Sequence, residues 1–249
     1  MKNQDNWKPS KYIYRNGKLK ASRDPKEIGI GSRLVADLIA EFYNNNLKKH
    51  AKGNLLDLGC GKVPLFHAYR SYISNNTCVD WEKTEHKNDY LDFECDLTKP
   101  LPFNNEQFDT IILSDVLEHV PKPETLWSEM TRILAFNGKI IANVPFYYWI
   151  HEKPYDYFRY TEFALRYFVE TSGLKLIQLN CIGGVPEIIA DIFAKNILHI
   201  PIIGRYLALF VQWITFFFVK TNIGKKISEE TMNYFPFGYF LIAQKVSVK

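Results

Sequence analysis

The stretch Asn54-Leu55-Leu56-Asp57-Leu58-Gly59-Cys60-Gly61-Lys62 constrains the fold more than any other part of the chain. A short apolar run reaches an acidic residue and then a Gly-x-Gly turn. That is the pattern of a buried parallel strand delivering a glycine loop to the edge of a sheet. Glycine has no Cβ and accepts positive φ, so the backbone can turn sharply there and admit a ligand. About twenty residues on, Thr77-Cys78-Val79-Asp80 reads as a second strand ending in a carboxylate, placed to accept hydrogen bonds from both hydroxyls of a ribose. A dinucleotide fingerprint would need a third glycine at position 64, where Pro64 stands, and that glycine serves a pyrophosphate.

The hydrophobic pattern alternates strand-like and helix-like segments. Strands are expected near 54–58, 76–80, 91–95, 109–114, 139–145 and 174–181, with a last one over 235–245. Helices are expected over Ser32–Lys48, over Pro123–Leu134 with the proline in the first turn, and over Thr161–Thr171 between a threonine cap and Gly173. Such alternation implies a parallel sheet with helices on both faces. The 249 residues suffice for one sizeable core, and the apolar fraction of 47% excludes a disordered chain.

These motifs resemble those of class I S-adenosylmethionine-dependent methyltransferases, methyltransferase type 11-like. Leu56-Asp57-Leu58-Gly59-Cys60-Gly61 resembles the first motif. Cys95-Asp96-Leu97 resembles the segment after the third strand, whose Asp recognises the adenine amino group. Phe108 to Val120 resembles the fourth strand with its following loop, and Gly138 to Pro145 the fifth strand between a glycine turn and a proline stop. The resemblance covers roughly residues 30 to 182 and the last strand. It implies a Rossmann-like α/β fold with a seven-stranded, mostly parallel sheet of order 3-2-1-4-5-7-6, the last strand antiparallel. It also implies S-adenosylmethionine as cofactor, held by Asp57, Gly59, Gly61, Asp80, Asp96 and Leu97, with Ser114 and Asp115 in the following loop and Trp81 against the adenine.

Four segments follow from this reading: an N-terminal arm or lid over 1–28, the core over 29–182, an apolar helical insertion over 183–232 and the last strand over 233–249. In the insertion, Tyr206 to Val219 is almost wholly apolar, with Arg205 before it and Lys220, Lys225 and Lys226 after it. It is shorter than the ~20 apolar residues of a spanning helix. It fits a helix lying in a membrane interface through 197–220, and equally a hairpin packed on the domain or a homodimer core. The net charge of +4, without a dense basic cluster, speaks against a nucleic-acid partner. Cys60, Cys78, Cys95 and Cys181 lack Cys-x-x-Cys spacing, so free thiols are expected and no metal site. The first residues lack the apolar core of a signal peptide, which points to the cytoplasm or the inner face of its membrane.

On the acceptor side two histidines stand out as candidate general bases: His119 after the fourth strand, and His151 in the aromatic and polar stretch Tyr147–Thr161. Tyr148, Asp156, Tyr157 and Arg159 are the candidate acceptor contacts, with a structural Asp156–Arg159 pair as the alternative. This stretch resembles the His-x-x-Pro-x-Asp-Tyr-x-Arg-x-Thr segment of methyltransferases of bacterial polysaccharide and lipid-linked glycan synthesis. The implied function is O-methylation of a glycan or lipid-linked acceptor. Two alternatives stand beside it: methylation of a lipid-soluble small molecule such as a quinone precursor, or cofactor binding by a membrane-peripheral protein without turnover.

Overall fold

The structure is a computed structural model that describes residues 1–82 and 89–246. In chain order the strands are β1 (Tyr12–Arg15), β2 (Lys18–Ala21), β3 (Asn54–Leu58), β4 (Asn75–Asp80), β5 (Phe93–Glu94), β6 (Phe108–Ser114), β7 (Leu134–Pro145), β8 (Leu174–Ile182) and β9 (Gly238–Lys245). The helices are α1 (Arg33–His50), α2 (Phe66–Tyr69), α3 (Pro123–Ile133), α4 (Glu162–Thr171), α5 (Val185–Ile197), α6 (Gly204–Phe218) and α7 (Asn222–Thr231). They divide into two compact units: Met1–Lys8, Asn45–Asn180 and Tyr239–Lys249 in the first, Pro9–Asn44 and Cys181–Gly238 in the second. Residues 247–249 of the expected last-strand segment lie outside the described residues.

The first unit is built on a seven-stranded sheet of order β5-β4-β3-β6-β7-β9-β8, with helices on both faces. Counting only these strands, the order is the expected 3-2-1-4-5-7-6. Parallel pairing sets Asp57 opposite Cys78 and Leu58 opposite Val79, and β6 runs parallel to both β3 and β7. Leu55, Leu56 and Leu58 of β3 and Ile111, Ile112 and Leu113 of β6 are fully buried, as strands covered on both faces must be. On α3, Leu126, Trp127, Met130 and Ile133 form the buried stripe, and Trp127 stacks on Phe168 of α4 at 6.0 Å. Thr161 caps α4 by accepting from the Ala164 N–H.

Two expectations change in this unit. The strand expected over 91–95 pairs only through Phe93 and Glu94. The strand expected from 139 begins at Leu134, so Gly138 lies inside β7 rather than in a turn before it. The register shifts there between Phe108 and Thr110, and Asn137 takes a φ of 62°.

The second unit pairs β1 with β2 around Asn16 and Gly17, whose φ values of 51° and 71° match the primed turn of a tight hairpin. The apolar insertion resolves into α5, α6 and α7, and its helical character is as expected. Only Gly204, Ala208 and Gln212 of α6 are buried. The polar Gln212 faces inward, accepting from the Leu34 N–H at 2.9 Å and donating to the Ile30 carbonyl at 2.6 Å. Phe210, Trp213, Ile214 and Phe217 face outward and are about half exposed. Thus α6 is not a core helix of this unit. Among the described residues no single helix is long and apolar enough to cross a membrane.

Candidate active site

The C-terminal ends of β3, β4, β6 and β7 converge on one edge of the sheet, the place where open α/β sheets hold ligands. Beyond β3, the Gly59 and Cys60 N–H groups donate to the Val79 carbonyl at 2.8 and 3.0 Å, folding the loop back onto β4. Gly59 has a φ of +73°, and a Cβ there would stand 2.5 Å from Val116 Cγ2. No other residue type fits this turn without strain and a clash. Asp80, at the tip of β4, accepts from the Gly61 N–H and the Trp81 N–H, each at 2.8 Å. The loop and the second-strand carboxylate are therefore one hydrogen-bonded unit. Asp57 is buried on β3 and accepts from the Tyr69 hydroxyl at 2.9 Å. Burial raises its pKa to about 7, against the opposing Tyr69 bond and with a smaller push from the Asp80 charge.

At the ends of β6 and β7, Ser114 Oγ donates to Asn143 Oδ1 at 2.8 Å and Asn143 Nδ2 donates to Asp115 Oδ1 at 2.5 Å. The buried Asn143 thereby fixes Asp115, whose φ is +53°. After this turn come Glu118 and His119. The His119 Nδ1 lies 2.9 Å from the Tyr155 carbonyl, and its Nε2 lies 3.2 Å from the Nε2 of His151. His151 is held by its N–H, which donates to Asp156 Oδ2 at 2.9 Å. Asp156 is gripped in turn by both terminal nitrogens of Arg159, at 2.6 and 2.8 Å. Burial pushes the Asp156 pKa up, but the Arg159 guanidinium and the His151 N–H outweigh it and hold the group at about 2. Burial, then the neighbouring His119, lowers the His151 pKa, so its ring is neutral at neutral pH. The Tyr155 ring packs edge-on against Trp81 at 4.8 Å, tying the histidine cluster to the residue after Asp80.

Residues 56–142 match the sequence model of a family described as a methyltransferase domain. The solved structures with a similar fold include an S-adenosylmethionine-dependent methyltransferase from Archaeoglobus fulgidus, at TM-score 0.56 and 14% identity over 89% of this chain and 97% of that one. Another is an S-adenosylmethionine-dependent methyltransferase from Mesorhizobium loti, at TM-score 0.54 and 14% identity over 85% and 100%. A third is geranyl diphosphate methyltransferase in complex with S-adenosylmethionine, at TM-score 0.54 and 15% identity over 90% and 93%. No curated protein sequence matches the chain. Residues 56–142 thus match a methyltransferase domain, and the chain has the fold of these S-adenosylmethionine-dependent methyltransferases.

The methyltransferase-domain match indicates S-adenosylmethionine as the cofactor. The residues fit it: a Cβ at Gly59 would strike Val116, so only glycine lets the loop lie this close, and the buried carboxylates of Asp57 and Asp80 suit a ligand with ribose hydroxyls and positive charge. Of the residues expected to hold it, Asp57, Gly59, Gly61, Asp80 and Trp81 lie together at the ends of β3 and β4. Ser114 and Asp115 lie in the Asn143 network. Asp96 accepts at Oδ1 from the Thr98 N–H and hydroxyl, bonds that lower its pKa, and Leu97 beside it is half-buried. His119 and His151 are brought into direct contact. The Tyr148 ring packs on His151 at 5.1 Å. Asp156 and Arg159 are engaged with each other, and Tyr157 is exposed while its N–H donates to the Glu118 carbonyl at 2.9 Å.

Sequence reasoning passed over Glu118, Asn143, Tyr69 and Tyr155. Glu118 alone gave a signal: an acidic residue beside His119 in an otherwise apolar segment, Val116 to Val120. Its carboxyl is fully buried, and burial, then the charge of Asp115, drives its pKa far above the carboxylate range.

Proposed function

We propose that this methyltransferase O-methylates a lipid-linked acceptor, a glycan on a membrane-anchored carrier, at a membrane surface. The observation that carries the reading is α6, which turns the polar Gln212 inward and the rings of Phe210, Trp213 and Phe217 outward. Phe210 is 55% exposed and Trp213 59% exposed. Within the same unit, Arg15, Arg23, Arg33, Phe210, Trp213 and Phe217 line an open cleft of about 730 Å³. Cations beside an outward apolar face suit an anionic head group above acyl or prenyl chains. Lys220 sits 3.7 Å over the Phe216 ring at the end of α6, a position for a head-group cation.

S-adenosylmethionine, when bound, supplies a methyl group on a sulfonium whose C–S bonding pair leaves with sulfur. The protein's part is to hold donor and acceptor in line and to remove the hydroxyl proton. Asp80 and the glycine loop position the cofactor. His151 takes the proton: burial lowers its pKa, and its Nε2 shares one space with the Nε2 of His119.

Flotation with anionic vesicles, followed by transfer of radiolabelled methyl groups to a lipid-linked glycan extract, tests the reading. The expected result is co-flotation and label in the organic phase that mild acid releases with the sugar. Replacing Phe210, Trp213 and Phe217 by Ser should abolish flotation while cofactor affinity stays unchanged. A protein that never floats and labels only water-soluble compounds would refute the reading.

A further inference from the structure

We infer that Glu118, His119 and His151 form a binding site for a divalent transition-metal cation. Their ligand atoms face one another: Nε2 to Nε2 at 3.2 Å, and Glu118 Oε1 to the His119 and His151 Nε2 atoms at 3.7 and 3.8 Å. The point equidistant from three atoms so spaced lies about 2.1 Å from each, within the range of Zn²⁺ bonds to imidazole and carboxylate.

Two further observations call for a cation there. Glu118 has 0% exposure, and neither carboxylate oxygen accepts a hydrogen bond among the described residues. A buried carboxyl without a partner is costly and rare, and an ion is one of its few remedies. The second observation is the pair of rings. His119 Nδ1 faces the Tyr155 carbonyl, and His151 Nδ1 lies 3.3 Å from both the Trp149 carbonyl and Asp156 Oδ2. All of these only accept, so Nδ1 is the nitrogen of each ring placed to donate. Both Nε2 atoms then present lone pairs, and no proton lies between them. An outer N–H given to a carbonyl or carboxylate is how metal-bound histidines are held.

Glu152 Oε2, 3.9 Å from His119 Nε2, adds negative charge nearby. The nearby cation is Arg159, which Asp156 holds in a bidentate pair. Two imidazoles and one carboxylate select Zn²⁺, Co²⁺, Mn²⁺ or Fe²⁺ over Mg²⁺ and Ca²⁺. The inference rests on the reading of this cluster as the acceptor side of the site; with a cation held there the histidines would be its ligands in place of the base, and the cation would acidify the acceptor hydroxyl, whose proton would pass to solvent.

The test uses the full chain, dialysed against chelator and titrated with Co²⁺ by absorption and with Zn²⁺, Mn²⁺ and Mg²⁺ by calorimetry. One Co²⁺ or Zn²⁺ per chain is expected, with Mg²⁺ much weaker. His119→Ala and His151→Ala should weaken binding by at least about a hundredfold and remove the cobalt bands. Glu118→Gln should weaken it at least about tenfold, with circular dichroism confirming the fold. His151 sits in a half-exposed segment, so its variant keeps the test alive if Glu118→Gln fails to fold. Absence of stoichiometric binding, or binding indifferent to the histidine variants, would overturn the inference. S-adenosylmethionine titration of the same sample separates the two readings. Cofactor binding without metal removes the metal site alone, and metal binding without cofactor removes the cofactor assignment alone.

Discussion

Cofactor affinity should depend on pH through Asp57. The carboxyl is 4% exposed, accepts one hydrogen bond, and has its pKa raised by burial to about 7. S-adenosylmethionine brings positive charge, which favours the ionised carboxylate. Half of Asp57 is ionised at about pH 7 and about one tenth at about pH 6, so the association constant should fall about fivefold over that unit, or about 1 kcal/mol. Below about pH 6 the slope approaches tenfold per unit. Calorimetry in buffers of different ionisation enthalpy reads both the affinity and the release of about half a proton on binding at about pH 7. An α-amine titrates at about 7.7–8.0, above this window. Asp57→Asn keeps the shape and an acceptor for Tyr69 but removes the titration, so its profile should be flat and its affinity that of the protonated wild type. The same shift acts on the cofactor-free protein with a definite sign. The folded-state pKa is raised, so stability falls as pH climbs from the ordinary carboxylate value to about 7, then levels off. A flat wild-type affinity over this window, or an unchanged slope in Asp57→Asn, would refute the reasoning.

Gly59→Ala forces a side chain into a φ of +73° and sets a methyl 2.5 Å from Val116. The left-handed backbone alone costs about 1–2 kcal/mol, a fall of several degrees in Tm by calorimetry, and cofactor affinity should drop with it. Adding Val116→Ala should recover only the clash. Asp156→Asn breaks the bidentate pair with Arg159. It should cost about 2–3 kcal/mol in urea unfolding, less than a wholly buried pair because Arg159 is partly exposed. Asp156 has a depressed pKa, so its contribution is present above the ordinary carboxylate range and disappears as pH falls through about 2. The variant should flatten acid unfolding there.

The sheet was legible because buried parallel strands read as apolar runs and the glycine loop marks where the first one ends. Leu55, Leu56 and Leu58 had to be buried, and Asp57 with Gly59 told which end faced the ligand. The start of β7 was hidden because Gly138 imitates a turn signal while serving a bulge, and local composition does not separate the two. The two histidines were legible as chemistry but not as a pair. They stand 32 residues apart, and only the Asp156–Arg159 clamp and the Tyr155 carbonyl bring their rings together. Asn143 and Tyr69 were invisible for the same reason: each matters through one long-range bond. The direction in which α6 faces lay beyond the sequence as well. Its apolar residues run all round the helix, and the bonds of Gln212 to Leu34 and Ile30 mark the side that is covered.

Backbone strain gathers where the two functional surfaces are proposed. Left-handed φ is cheap for asparagine and costly for a β-branched side chain. Two β-branched residues adopt it among the described residues: Val63 at +51° and Ile202 at +64°. Val63 is fully buried just beyond the glycine loop, and its carbonyl accepts from the Trp7 indole N–H at 3.1 Å. Such a conformation persists only where its surroundings over-determine it, and here they fix the loop before any ligand arrives. Ile202 is 89% exposed at the turn leading into α6. Burial does not compensate it, and the proposed membrane contact would cover it. Val63 thus holds its strain in the core beside the glycine loop, and Ile202 holds it at the surface beside α6.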